Sequence, residues 1–484
     1  MKKIVSVLLA LCLLIALFSA CQGGQTESGK PKLAAEAQKK KAVASAAASQ
    51  ALQEEEGIKP LRVVTDSYQI RSWFSESKSA PDLGKKAFQE ILKHFGGTPN
   101  GMEVELEVLP LESGRYEAEL THLRAELMAG AGPDVFLLSG FGGCDAKLPE
   151  SSLFPNPEHA MASGFFLPLD EYVENASFMD LGKLQKTVMD AGCYEGSRYI
   201  LPMFYRLPFG DIYREGNPVN PAELPASWDE ALVHEEQLVR DNYGMQMFSV
   251  GFRQAVFGQI ADNVNEELLI EQEELFQRTK EAVELYREMK SHYTPITYDE
   301  TVNSSWGDIV SGGKATSSVP DETFYAPRNS QGQIAAAVEH WCAVNRNTQH
   351  PEDAFFIADI LLSKEFLSLE RFWGKENTAH DGKGKETKMF WMAATGNVPV
   401  YADYLTTGIS YRNATTYKNL REALAEAESD IAYVYFTGNV DKEMDRMFRE
   451  FIDKVDAGEE ITDEEIRKAT DKCYSTMKMM LAES

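Results

Sequence analysis

The sequence predicts an α/β protein whose helices flank a mostly parallel sheet. Three observations predict it. Apolar strands and amphipathic helices succeed one another in the order β-α-β-α-β over residues 61–138. That order implies parallel strands joined by right-handed crossovers. The chain is also large, 484 residues with 43% apolar, enough for two or three domains with ample core.

Leu61-Arg62-Val63-Val64-Thr65 reads as a buried strand. From Pro81 to Phe95, Ala87, Phe88, Ile91, Leu92 and Phe95 fall at helical spacing, and Gly96-Gly97 ends the run. Met102 to Val108 alternates Val104, Leu106 and Val108 with Glu103, Glu105 and Glu107, the pattern of a half-buried strand. Ser113 is placed to cap a helix carrying Leu120, Leu123, Leu127 and Met128, closed by Gly130. Pro133 to Leu138 follows as a continuous apolar strand. Binding sites in such sheets lie beyond the carboxyl ends of the strands, here Asp66 to Tyr68 and Ser139 to Phe141.

Further on, Ser227 and Glu230 form a capping box. Leu268 to Tyr293 is a long amphipathic run with Phe276, Thr279, Val283, Tyr286 and Met289 on one face. Asp353 to Leu362 reads as a dense apolar helix. Thr462 and Glu465 make a second capping box before the stripe Ile466, Ala469, Cys473, Met477 and Leu481. Gly374 to Lys388 is polar and rich in Gly and Lys, and reads as a surface loop.

The N-terminus has its own signature. Met1-Lys2-Lys3 is basic, Ile4 to Leu17 is almost wholly apolar, and Leu17-Phe18-Ser19-Ala20-Cys21 follows. The apolar run is too short to span a bilayer and reads as a signal peptide over 1–20. The Cys resembles the acceptor of a bacterial lipobox, with Phe18 where Leu is usual. Lipidation, palmitate included, is therefore expected on Cys21, with an ordinary cleaved signal as the alternative. Residues 21–57 then make a lipidated Cys and flexible tether, poor in large apolar side chains. A flexible tether of that length spans roughly 30–35 Å root-mean-square.

The formal charge is −27, from 48 Lys+Arg against 75 Asp+Glu, and no basic stripe interrupts it. A polyanion partner is thereby disfavoured, and no nucleic acid is expected. Runs such as Glu271-Gln272-Glu273-Glu274 read as solvated helix faces. Beyond Cys12 and Cys21, the cysteines Cys144, Cys193, Cys342 and Cys473 lie far apart, without C-x-x-C, so pairing and free burial are both open. No metal constellation and no cofactor motif is seen.

One stretch is specific. Leu123-Arg124-Ala125-Glu126-Leu127-Met128-Ala129-Gly130-Ala131-Gly132-Pro133-Asp134-Val135 closely resembles the signature of bacterial extracellular solute-binding proteins of family 1, the maltose-binding-protein-like receptors of ABC importers. Other stations follow in the family's order. Gly164 to Tyr172 resembles its G-x-L-x-P-L-D-x-Y segment, and Gly196 to Pro202 its G-x-x-Y-x-x-P strand. Pro225 to Leu232 resembles its P-x-T-W-x-E helix start, with Ser227 for Thr. Gly313-Lys314-Ala315 resembles its return strand, with Thr316 and Ser317 departing from Ala and Met. Ala343 to Asn347 with Pro351 to Leu362, and Gly396-Asn397-Val398-Pro399, complete the set.

The resemblance implies a two-lobed periplasmic-binding-protein-like clamshell of type II. Each lobe would be a mostly parallel sheet flanked by helices, discontinuous in sequence. Lobe one is expected over 58–172 plus 340–395, and lobe two over 173–339 plus 396–484. It further implies a lipid-anchored monomer on the extracellular face of a Gram-positive cell, with no enzymatic activity. Such a protein captures a carbohydrate, expected to be an oligosaccharide, and delivers it to ABC permease subunits in the membrane.

Sugar rings stack on flat aromatic rings, and their hydroxyls pair with planar polar groups. On position, the ligand-binding candidates are Tyr68, Ser139, Phe141, Tyr205, Arg206, Asp321, Trp341, Tyr401 and Tyr404. Each has an ordinary structural alternative, such as a turn at Ser139 or interlobe packing at Trp341. Two alternatives in function remain open. One is a polyamine, a peptide or a uronate oligosaccharide, for which Arg206 would suit a carboxylate. The other is an exported glycosidase, although no two carboxylates are placed together by the sequence.

Overall fold

The computed structural model describes residues 59–66, 81–110, 113–139, 152–208, 210–212, 219–292, 323–367, 378–380, 386–388, 398–401 and 414–482. The signal, Cys21, the tether and the Gly313 return segment lie outside them.

The β-α-β-α-β unit forms as expected: β1 (Leu61–Thr65), α1 (Pro81–His94), β2 (Val104–Val108), α2 (Ser113–Met128) and β3 (Val135–Ser139). β1 lies between β2 and β3, parallel to both. Asp134, the acid of the Pro-Asp-Val motif, braces this unit. Its carboxylate accepts the Arg62 N–H at 2.9 Å and the Thr348 hydroxyl at 2.6 Å.

The sheet continues through β4 (Ile200–Arg206), β5 (Ile334–Val344), β6 (Val398–Pro399) and β7 (Ile431–Phe436). It has seven strands in the order β6-β4-β5-β3-β1-β2, with β7 paired to β5. Beyond β3 the sheet is no longer parallel throughout. β5 is antiparallel to β3 and β4 and parallel to β7. β5 does not follow β3 by a short helical crossover, so its direction is set by its partners in the sheet.

Two hydrophobic cores form. The first gathers the sheet, α1, α2 and α3 (Pro351–Leu361), including Val63, Leu123, Phe136, Phe166, Trp341 and Ile357. The second is built from α4 (Gln237–Val250), α5 (Phe252–Val256), α6 (Gln272–His292), α7 (Asn439–Asp456) and α8 (Asp463–Ala482). It centres on Tyr243, Phe252, Leu275, Val283, Met444, Phe448, Cys473 and Met477. Among the described residues its strands are short two-stranded ribbons, such as Gly210–Ile212 against Thr323–Tyr325, in place of the expected parallel sheet. The Thr462–Glu465 box closes in both directions, while Ser227 Oγ accepts the Glu230 N–H at 3.2 Å and Glu230 reaches back to the Ala226 N–H instead.

Within the expected loop at 374–388, Thr378–His380 and Glu386–Lys388 pair as an antiparallel hairpin. Cys193, Cys342 and Cys473 are free thiols, the latter two buried. Cys144 lies outside the described residues.

Candidate functional site

Among the described residues the chain passes three times between the two cores. It leaves the first core after Leu207 and joins the second at Ile212. It returns between Tyr325 and Ile334, and leaves again between Phe436 and Val440. Several buried polar groups of the fold lie near these passages.

The register of β5 explains why. Val338 pairs with Phe436, the last residue of β7, and His340 pairs with Ser139, the last residue of β3. The carboxyl ends of β7 and β3 therefore meet end to end along one side of β5, with Glu339 between them. On its other side Ala337 pairs with Arg206, the last residue of β4. Three strand ends converge on one stretch of β5, the place where α/β sheets hold ligands.

Buried polar atoms lie near these strand ends. Asp66 follows β1, and its Oδ1 accepts the Ser139 N–H at 2.8 Å and the Ser139 hydroxyl at 3.3 Å. Its other oxygen is buried without a hydrogen-bond partner among the described residues. Burial drives its pKa up to about 7, against the opposing pull of the Ser139 hydrogen bonds and the Lys442 charge. Glu158 Oε1 accepts the Phe436 N–H at 3.2 Å, and the Asn263 side chain also bonds this buried carboxyl. Desolvation raises the pKa of Glu158 too. The unpaired buried atoms here also include Thr437 Oγ1 and Asn439 Oδ1, both on the passage from β7 into α7. These two and Asp66 Oδ2 can accept a hydrogen bond. Gly438 is required between them, since a Cβ there would stand 2.8 Å from the Pro155 carbonyl oxygen.

Arg206 and Glu339 form an ion pair here. Arg206 Nη2 donates to Glu339 Oε1 at 2.6 Å, with the Glu339 side chain only 5% exposed. Burial raises the pKa of Glu339, and the nearby Arg206 pulls it back. His340 is held neutral, its pKa lowered to about 3 by burial first and by the Arg206 charge second.

Of the residues chosen from sequence, Ser139, Tyr205, Arg206 and Trp341 meet around β5. Tyr401 follows β6 at the sheet edge, bridged to Leu184. Tyr68, Phe141, Asp321 and Tyr404 lie outside the described residues. Trp341 is 2% exposed, enclosed by Phe154, Phe166 and Phe436. No ring face is free for stacking, so Trp341 is a packing residue in this conformation. Tyr205 is fully buried with its hydroxyl on Glu428, and also offers no face. Sequence reasoning missed Glu158, Glu339, Thr437 and Asn439. Glu339 carried a readable signal: a charge inside an otherwise apolar strand, Ile334–Val344, is costly unless paired.

No protein-family model matches this sequence, and no curated protein matches it. Solved structures that resemble the chain include an extracellular solute-binding protein family 1 from Alicyclobacillus acidocaldarius, at 14% identity and a TM-score of 0.47, over 88% of this chain and 100% of that one. A periplasmic oligogalacturonide binding protein from Yersinia enterocolitica aligns at 14% identity and a TM-score of 0.48, over 88% and 99%. The sugar-binding protein MalE from Xanthomonas citri aligns at 13% identity and a TM-score of 0.46, over 88% and 98%.

Chemically, these buried groups can accept hydrogen bonds, and the carboxyl of Asp66 and the hydroxyl of Thr437 can also donate. No exposed, unpaired cation stands among the residues described above. Such groups suit a ligand rich in hydroxyl or amine donors.

Proposed function

We propose that this protein is an extracellular carbohydrate receptor, anchored by lipid on Cys21, that captures a neutral oligosaccharide where three strand ends converge on β5 and hands it to an ABC importer. One observation carries the reading. Three strand ends converge on Ala337 to His340, and Asp66 Oδ2, Thr437 Oγ1 and Asn439 Oδ1 are buried without a hydrogen-bond partner among the described residues. A polyol supplies donors in a closely spaced array. The ordered sequence stations from Leu123 to Pro399, the signal peptide and the tether support the same reading.

In this proposal the two cores are two lobes, with boundaries at the passages. Lobe one holds 58–207 and 334–436, and lobe two holds 212–325 and 440–482. Closure of the lobes around a ligand is a hinge motion at those passages. The Arg206–Glu339 pair bears on ligand class. With its carboxylate partner already in the protein, Arg206 is not available to select a uronate at no cost. A polyamine is the second reading, favoured by the two buried carboxyl groups of Asp66 and Glu158.

A thermal-shift panel of the full mature chain tests this, using neutral oligosaccharides, uronate oligosaccharides and spermidine. Ligand at 100 times its dissociation constant adds about 2.7 kcal/mol to the folded state. A shift with a neutral sugar alone is the expected result. A shift with spermidine alone transfers the site to the second reading, and a shift with uronates alone overturns the argument from Arg206.

A further inference from the structure

The five residues of α5, Phe252 to Val256, are all buried. Its apolar residues Phe252, Ala255 and Val256 belong to the second core. Its polar contacts run to all three passages. Gln254 Nε2 donates to the Arg206 carbonyl at 2.8 Å and to the Ala335 carbonyl at 2.7 Å, fastening the end of β4 to the start of β5. The Val256 carbonyl accepts the Ser330 N–H at 2.9 Å, on the second passage. Arg253 pairs with Asp441 on α7, and its guanidinium lies 3.8 Å over the ring of Tyr435 in β7. The Phe252 N–H donates to Asp445 of α7 at 2.9 Å. Gly251, at φ +95°, makes the sharp entry, with Asp445 at 3.2 Å from where a Cβ would stand.

Two neighbouring atoms of this helix are buried and unpaired among the described residues, Arg253 Nε and Gln254 Oε1. Unpaired buried polar atoms are rare and costly. Polar side chains are not needed to fill this space, since a hydrophobic residue of similar size would pack without the cost. The contacts they do make therefore carry the reason for their presence, and those contacts join one core to the other.

We propose that α5 is the mechanical link between the two cores. The doubled hydrogen bond of Gln254 and the Arg253 sandwich couple the two cores at the passages about which they would close, and make them unfold as one unit. This inference needs the two cores and the three passages, and does not depend on what the strand ends bind.

Scanning calorimetry of the full mature chain tests it. The wild-type chain unfolds in a single endotherm. Gln254→Met keeps the volume and deletes both donated hydrogen bonds, and it splits the endotherm into two separated by several degrees. Gln259→Met, at an exposed glutamine three residues after Val256, leaves one endotherm. A Gln254→Met endotherm that moves as a whole overturns the proposal, and so do two endotherms in the wild type. Should Gln254→Met fail to fold, Gln254→Asn withdraws the amide by one methylene and must give the same split, a single displaced endotherm again overturning the idea.

Discussion

Replacing Asp66 with Asn isolates one buried ionisation. The carboxyl is 3% exposed, its Oδ1 takes the Ser139 N–H, and its Oδ2 is unpaired among the described residues. Its pKa of about 7 in the fold stands against an ordinary 3.8, because burial penalises the charged form. A group whose pKa is raised on folding contributes stability that is fully present below its unfolded value. That stability is lost as pH rises through the folded value. The window here runs from about pH 4 to about pH 7. The gap amounts to roughly 4 kcal/mol at 1.36 kcal/mol per pH unit, an upper figure. Asn keeps the oxygen that accepts from Ser139 and never ionises. Urea unfolding at pH 4.5, 6, 7 and 8 gives the assay, read as variant minus wild type so that other carboxyl groups cancel. The two chains should match within about 1 kcal/mol at pH 4.5, and the variant should be the more stable by about 2–4 kcal/mol at pH 8. A difference that does not change with pH would refute the reasoning.

Other expectations follow from the same structure. Arg253→Met leaves the buried Asp441 carboxylate with only the Gly438 N–H and the start of α7 to stabilise it, and should cost about 2–4 kcal/mol in urea unfolding; a cost below about 1 kcal/mol would show the pair to be dispensable. Trp341→Ala should cost about 3–5 kcal/mol, as expected of a ring enclosed by Phe154, Phe166 and Phe436. At temperatures where this variant is still folded, its ligand affinity should match wild type, and selective loss of affinity with little destabilisation would restore Trp341 as a stacking platform. Arg206→Ala should weaken neutral and uronate sugars alike, measured by titration calorimetry, whereas selective loss of uronates would reinstate it as a selector. Cys21→Ser should move the chain from the membrane fraction to the medium, and continued membrane retention would refute the lipid anchor.

The first β-α-β-α-β unit was legible because its strands and helices bury one face each, so hydrophobic period reports them directly. Gly96-Gly97 and Gly130 punctuated it, and Pro133-Asp134 marked the last strand. The direction of β5 was not legible, because it depends on a partner more than a hundred residues away. The same holds for the site. Ser139 and Arg206 were chosen for their places at strand ends, and the structure puts both beside β5. Glu158, Thr437 and Asn439 come to these strand ends from segments far apart in sequence, and only the register of β5 brings their surroundings together. For Trp341 the sequence left stacking and packing equally open, and in the structure three phenylalanines enclose its ring.

The central claim is that a sugar is held where the three strand ends converge. Hydrogen exchange by mass spectrometry, on the full mature chain with and without the neutral oligosaccharide that gives the largest thermal shift, tests it most directly. The account predicts added protection in peptides covering 62–66, 135–139 and 434–442, with α8 at 463–482 unchanged. Protection confined to other segments, or no neutral sugar that changes exchange anywhere, would contradict it.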